Sequence, residues 1–130
     1  MRLTTLRKAG RTDEYHAAAE YLFALLEHRP PFARQAVELE HSQGSAHLNG
    51  DLDVARRTVY ALVDSPFLVH QGLALVLAGQ WALTPAASDE TLEAARDSAR
   101  SGGLDLLQRV SEELLQTAYE DRREVEFFYP

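Results

Sequence analysis

The chain has no cysteine, a single lysine and no long uninterrupted apolar run. The first absence excludes disulfides, thiolate metal sites and a cysteine nucleophile together, and it suits a cytoplasmic location. The second leaves Lys8 beside twelve arginines, and the 13 basic side chains are outnumbered by 20 acidic ones. A net charge of -7 argues against broad phosphate neutralisation, so no tight binding to bare nucleic acid is expected. The third argues against a membrane span. The most apolar stretch, residues 67–83, is interrupted by His70, Gln71 and Gln80 and falls short of the roughly 20 apolar residues a spanning helix needs. No apolar core follows the basic opening at residues 1–8 either, so this segment does not read as a signal peptide.

What remains is an ordinary globular composition, 45% hydrophobic and 25% charged over 130 residues, which suffices for one conventional core. Residues 12–28 place Tyr15, Ala18, Ala19, Leu22, Leu25 and Leu26 on one helical face, with Thr12 or Asp13 as cap and Pro30-Pro31 as stop. A second helix starts at Pro31 and runs to a left-handed stop at Asn49-Gly50, its inward face limited to Ala36, Leu39 and Ala46 around Gly44. The third opens at Asp51 or Asp53, buries Leu52, Ala55, Val59, Leu62 and Val63, and closes before Ser65-Pro66. The fourth, over residues 67–83, is apolar on nearly every side and is expected at the centre, with Gly72 and Gly79 two turns apart.

Ser88 is placed to cap a fifth helix with Leu92, Ala95 and Ala99 inward, ended by Ser101-Gly102-Gly103. The sixth spans residues 104–121 and carries Leu107, Val110, Leu114, Leu115 and Ala118 at helical spacing. Residues 124–129 alternate partly like a strand, able to pair with residues 3–6 or to dock as an extended tail. The expectation is therefore an all-α fold of about six antiparallel helices stacked as hairpins. It forms a single helical domain over residues 1–130, with an N-terminal arm at 1–11 and a C-terminal tail at 122–130.

One segment carries a family likeness. Gly50-Asp51-Leu52-Asp53-Val54-Ala55, followed by Val59, Leu62 and Pro66, resembles the second half of a tetratricopeptide repeat. The resemblance implies that the glycine turn reverses the chain, that Ala55 allows close contact between paired helices, and that Pro66 ends the unit. Upstream, Leu39 and Ala46 stand at packing positions, whereas Ser42-Gln43 replaces the leucine and small residue of the family. Residues 67–102 place Leu75, Gly79 and Ala95 in loosely similar positions, with a longer turn through Pro85. The resemblance covers about half the chain and implies a groove that holds a partner peptide or protein; a generic helical bundle is the alternative.

Few residues suggest chemistry. Glu38 and His41 form a Glu-x-x-His pair, and Asp13-Glu14-Tyr15-His16, followed by Glu20 one turn on, is the only near match, with aspartate in place of glutamate, so His16, Glu20, Glu38 and His41 are the candidate metal ligands. Di-iron bundles use two complete motifs and two further glutamates, which are missing, so no metal or cofactor is expected and the pairs read as a solvated face. His47 lies six residues from His41, off one clean helical face, and His70 reads as a core histidine. Ser42, Ser45 and Ser111 lack a nucleophile-elbow context and there is no glycine-rich phosphate loop, so no catalytic residue is assigned. The doublets Arg56-Arg57 and Arg122-Arg123 are flanked by acids and read as solvated helix surface.

Trp81, Phe127, Phe128 and Tyr129 are the expected contact residues, covered by their own domain or by a second copy in a homodimer. The leading expectation is a non-enzymatic helical-hairpin module for protein–protein interaction, as a scaffold or regulatory subunit. A small-molecule- or metal-binding bundle, and an accessory factor in transcription or DNA repair acting through a protein partner, are the alternatives.

Overall fold

A computed structural model of the chain describes residues 3–127. All regular structure among them is helical, in eight helices, with no strand among the described residues. They divide into two compact units, one ending at Thr58 and the other comprising Val59–Phe127.

In the first unit α1 (Leu3–Lys8), α2 (Thr12–Leu25) and α3 (Pro31–His47) pack on one another, and α4 (Leu52–Tyr60) begins there and runs across the division. The core is Leu3, Leu6, Tyr15 and Ala19, with Ala18, Leu22, Phe23, Val37 and Leu48 against it. The expected N-terminal arm is thus a helix. Leu3, Leu6 and Arg7 are spaced i, i+3, i+4, which puts all three on one buried face. Gly10 ends α1 at φ 70°, where the Arg11 N–H reaches the Leu6 carbonyl at 3.1 Å and satisfies one of the last helical acceptors. Gly50 does the same after α3, at φ 68° with the Asp51 N–H on the Ser45 carbonyl at 2.8 Å, as Asn49-Gly50 led us to expect.

Two details of this unit correct the sequence reading. Arg11 occupies the position preceding α2 and neither Thr12 nor Asp13 caps it. The inward face of α3 is Leu39, Ser42, Gln43, Gly44 and Ser45, while Ala36 is exposed. Gly44 lies directly under the Tyr15 ring: a Cβ there would stand 2.2 Å from Tyr15 Cε1. The missing side chain is what lets α2 and α3 approach.

In the second unit α5 (Leu68–Gln80), α6 (Pro85–Gly102) and α7 (Asp105–Gln116) pack together, with the short α8 (Tyr119–Arg122) following. The helix expected to be central is so here: α5 buries every residue from Gly72 to Gln80 except the half-buried Leu75. Gly79 faces Leu92 of α6, where a Cβ would come within 2.7 Å of Leu92 Cγ. Thr84 caps α6, its Oγ1 accepting from the Ala87 N–H at 3.1 Å. Ser88, expected as that cap, is instead buried and donates to the Gly79 carbonyl at 2.6 Å.

The expected sixth helix stops at Gln116 because Arg122 turns back over its end. The Arg122 Nε donates to the carbonyls of Leu114 (2.7 Å) and Thr117 (3.0 Å), and Nη1 donates to Ser88 Oγ (2.8 Å) and pairs with Asp89 (2.7 Å). Arg122 is therefore buried, not part of a solvated surface; only Arg123 of that doublet is exposed. The Gln80 side-chain amide donates to the Arg122 carbonyl at 2.9 Å and also to that of Val125, and the Tyr119 hydroxyl donates to the Ala82 carbonyl at 2.7 Å. Residues 125–127 carry no strand, and the segment 3–6 once expected to pair with them is helical.

Gly44→Ala gains helix propensity worth up to ~1 kcal/mol but drives a methyl into a ring that is itself hydrogen-bonded. Overpacking should win, lowering stability by about 1–3 kcal/mol, read as a shifted urea midpoint by far-UV circular dichroism.

Candidate functional site

The most elaborate polar cluster is internal. The Arg7 side chain is 0% exposed and forks onto Glu40, Nε at 3.0 Å from both carboxylate oxygens and Nη2 at 2.8 Å from Oε1. Thr4 Oγ1 donates to the same Oε1 at 2.9 Å, and the Tyr15 hydroxyl lies 2.7 Å from Oε2 and 2.8 Å from the Glu40 carbonyl. Burial and then the adjacent carboxylate push the Tyr15 hydroxyl far above its usual range, so it stays protonated and donates. Three helices are joined at one carboxylate, whose oxygens already accept from Thr4, Arg7 and Tyr15. The chemistry available to such a group is anchoring.

Beside it four rings converge. His41 stacks on Tyr15 (centroids 6.1 Å, planes 7° apart) and meets His16 (5.8 Å) and Phe23 (5.5 Å) edge on. Of the four candidate metal ligands the structure brings only His16 and His41 together. His16 Nε2 is held by the Asn49 side chain, Glu38 pairs with Arg34 at 3.0 Å, and Glu20 is exposed. No group of three or more His, Asp or Glu side chains suited to a metal ion forms among the described residues. His70 is buried, its ring edge against Phe67 at 5.7 Å.

The expected contact residues fare differently. Trp81 is 1% exposed, because it closes the central helix of its unit, so it belongs to the core and offers no surface. Phe127 is half-buried, and Phe128 and Tyr129 lie outside the described residues.

The exposed apolar surface lies instead on α2. That helix is apolar on two sides: Tyr15, Ala19 and Leu22 face the core, while Ala17, Tyr21, Ala24 and Leu25 face solvent. Tyr21 is 68% and Leu25 51% exposed, so Leu25 does not point inward as the sequence pattern suggested. Ala17, Tyr21 and Ala24 follow one another by four and then three residues, the spacing of a single stripe. The other large exposed apolar residues are Phe32, Tyr60, Leu68 and, in the turn before α6, Leu83. A second stripe on the back of a core helix was legible in the sequence, where Ala17, Tyr21 and Ala24 already stand at this spacing; the core-facing set masked it. No helix among the described residues is long and apolar enough to cross a membrane.

Glu40→Gln leaves the Arg7 guanidinium buried without its counter-charge and should cost about 3 kcal/mol in urea unfolding. The apolar pair Arg7→Met with Glu40→Leu should recover much of that loss. The imidazoles give a pH signature. Burial, and next His16, hold His41 below its ordinary 6.5 against the pull of Glu40, and burial lowers His70. Bases depressed by folding bind more protons when unfolded, so stability is full above the ordinary histidine pKa and falls as pH drops below it. Urea midpoints between about pH 7.5 and 5 should show that decline, and His41→Phe should flatten it.

No protein-family model, curated protein or solved structure matches this chain.

Proposed function

We propose that the chain is a non-enzymatic, cytoplasmic helical-hairpin module that binds a protein or peptide partner as a scaffold or regulatory subunit. The observation that carries this reading is the outer face of α2, where Ala17, Tyr21, Ala24 and Leu25 present a continuous apolar stripe to solvent. Soluble domains seldom leave such a stripe uncovered without a use for it. Burying Tyr21 and Leu25 against a partner would contribute on the order of 2–4 kcal/mol, enough for a modest complex to depend on them. The likeness of residues 50–66 to half of a tetratricopeptide repeat implies the same kind of role. The engagement of Glu40 with Thr4, Arg7 and Tyr15 supports a structural use for the chain's main polar cluster.

The test is a pull-down from the native host with the intact chain and with Tyr21→Glu. A stoichiometric protein partner is expected with the first and should weaken by about tenfold or more with the second, at unchanged circular dichroism. The absence of any stoichiometric partner, or one indifferent to Tyr21→Glu, contradicts the reading.

A further inference from the structure

The edge of the α2 stripe specifies the partner's chemistry. Asp13, Glu20 and Glu27 recur at intervals of seven residues. Seven residues advance an ideal helix by nearly two whole turns, so the three carboxylates line one edge of the exposed face. Glu27 lies just beyond the helix, where the Leu26 N–H still bonds to the Leu22 carbonyl and keeps the chain close to that register. All three are exposed, and none forms an ion pair among the described residues; Glu14, seven residues before Tyr21 and so in line with it at the start of the stripe, is held by Arg11. Arginines stand only at the ends of the face, Arg11 before α2 and Arg29 after it beside His28, and the one imidazole next to the acidic edge, His16, is tied to the Asn49 side chain.

The stripe itself has the spacing of a helix-pairing seam. Ala17 and Ala24 are one heptad apart with Tyr21 between them, so two small side chains admit a close helix and one ring fills the gap between its residues. In that register Asp13, Glu20 and Glu27 take the flanking position that selects partners by charge, and Ala18 and Leu25 take the opposite flank.

Resting on α2 as a contact surface, we propose that its occupant is a basic amphipathic helix of another protein. That helix lies along Ala17, Tyr21 and Ala24 with arginine or lysine side chains against Asp13, Glu20 and Glu27. A second copy of this chain fits poorly. Seated antiparallel it would set Glu20 against Glu20 and Asp13 against Glu27, and seated parallel it would offer the acids only Ala18 and Leu25. The net charge of -7 opposes self-association further.

Two synthetic helical peptides of about three heptads test this, identical at leucine seam positions and carrying either arginine or glutamate on both flanks. Titrated against the full chain at low salt, the arginine peptide should bind about tenfold more tightly than its glutamate twin, with the advantage shrinking as salt rises. Glu20→Arg with Glu27→Arg should invert the preference without altering circular dichroism, and Tyr21→Glu should weaken both peptides. Equal binding of the two peptides, binding of neither, or an unchanged preference in the double variant overturns the proposal, as does sedimentation showing dimers that Tyr21→Glu dissolves. The native partner separates the two levels. Loss with Tyr21→Glu but indifference to the double charge variant leaves the contact face standing and overturns its basic occupant; indifference to both removes the face itself.

Discussion

A guanidinium taken out of water must be surrounded by acceptors, and each compact unit is organised by one such group. In the first, Arg7 of α1 is fully buried and directs its fork at Glu40 of α3, with Tyr15 of α2 completing the junction. In the second, Arg122 has no buried carboxylate and instead collects the carbonyls of Leu114, Leu115 and Thr117 around the end of α7, together with Ser88 and the exposed Asp89. The two solutions differ in what they fix. The Arg7 junction sets how three helices meet, whereas the Arg122 clamp sets where one helix stops and another is pinned. Partnered apolar residues of similar volume would often be as stable as a buried ion pair, so the gain lies in specifying one arrangement.

The same economy of contacts explains the two-sided α2. A three-helix unit of this size has a small interior, and α1 and α3 cover only the side bearing Tyr15, Ala19 and Leu22. The unit is narrow at the α2–α3 junction because Gly44 removes a side chain beneath Tyr15. The reverse of α2 stays in solvent with its apolar stripe intact.

Much of the architecture was readable from residue spacing. The 3.6-residue period located α2, α3 and α5 closely, and Pro31, Asn49-Gly50 and Gly102-Gly103 marked ends the structure keeps. The shortfalls have a common cause: hydrophobic patterning assigns polar side chains to the surface. Ser42, Gln43, Ser88, Arg7 and Arg122 are all buried, so the inner face of α3 looked thin and the two short terminal helices looked like an arm and a tail. One signal was available for α1, because Leu3, Leu6 and Arg7 stand at helical spacing. None was available for α8, whose place depends on carbonyls at the end of α7 that no side-chain pattern records. The metal reading of His16, Glu20, Glu38 and His41 needed all four to converge, and their helical registers send Glu38 to Arg34 and Glu20 to solvent. Trp81 misled for a simpler reason: a large aromatic near a turn is as often core as contact.

That tryptophan has a spectroscopic consequence. It is the only indole in the chain, and it is buried at the end of α5, a helix of the unit formed by Val59–Phe127. Its emission reports on the surroundings of that helix end, while helical ellipticity sums over both units. Agreement or divergence of the two signals through a denaturant titration therefore measures whether the halves of this molecule melt as one cooperative body or in turn.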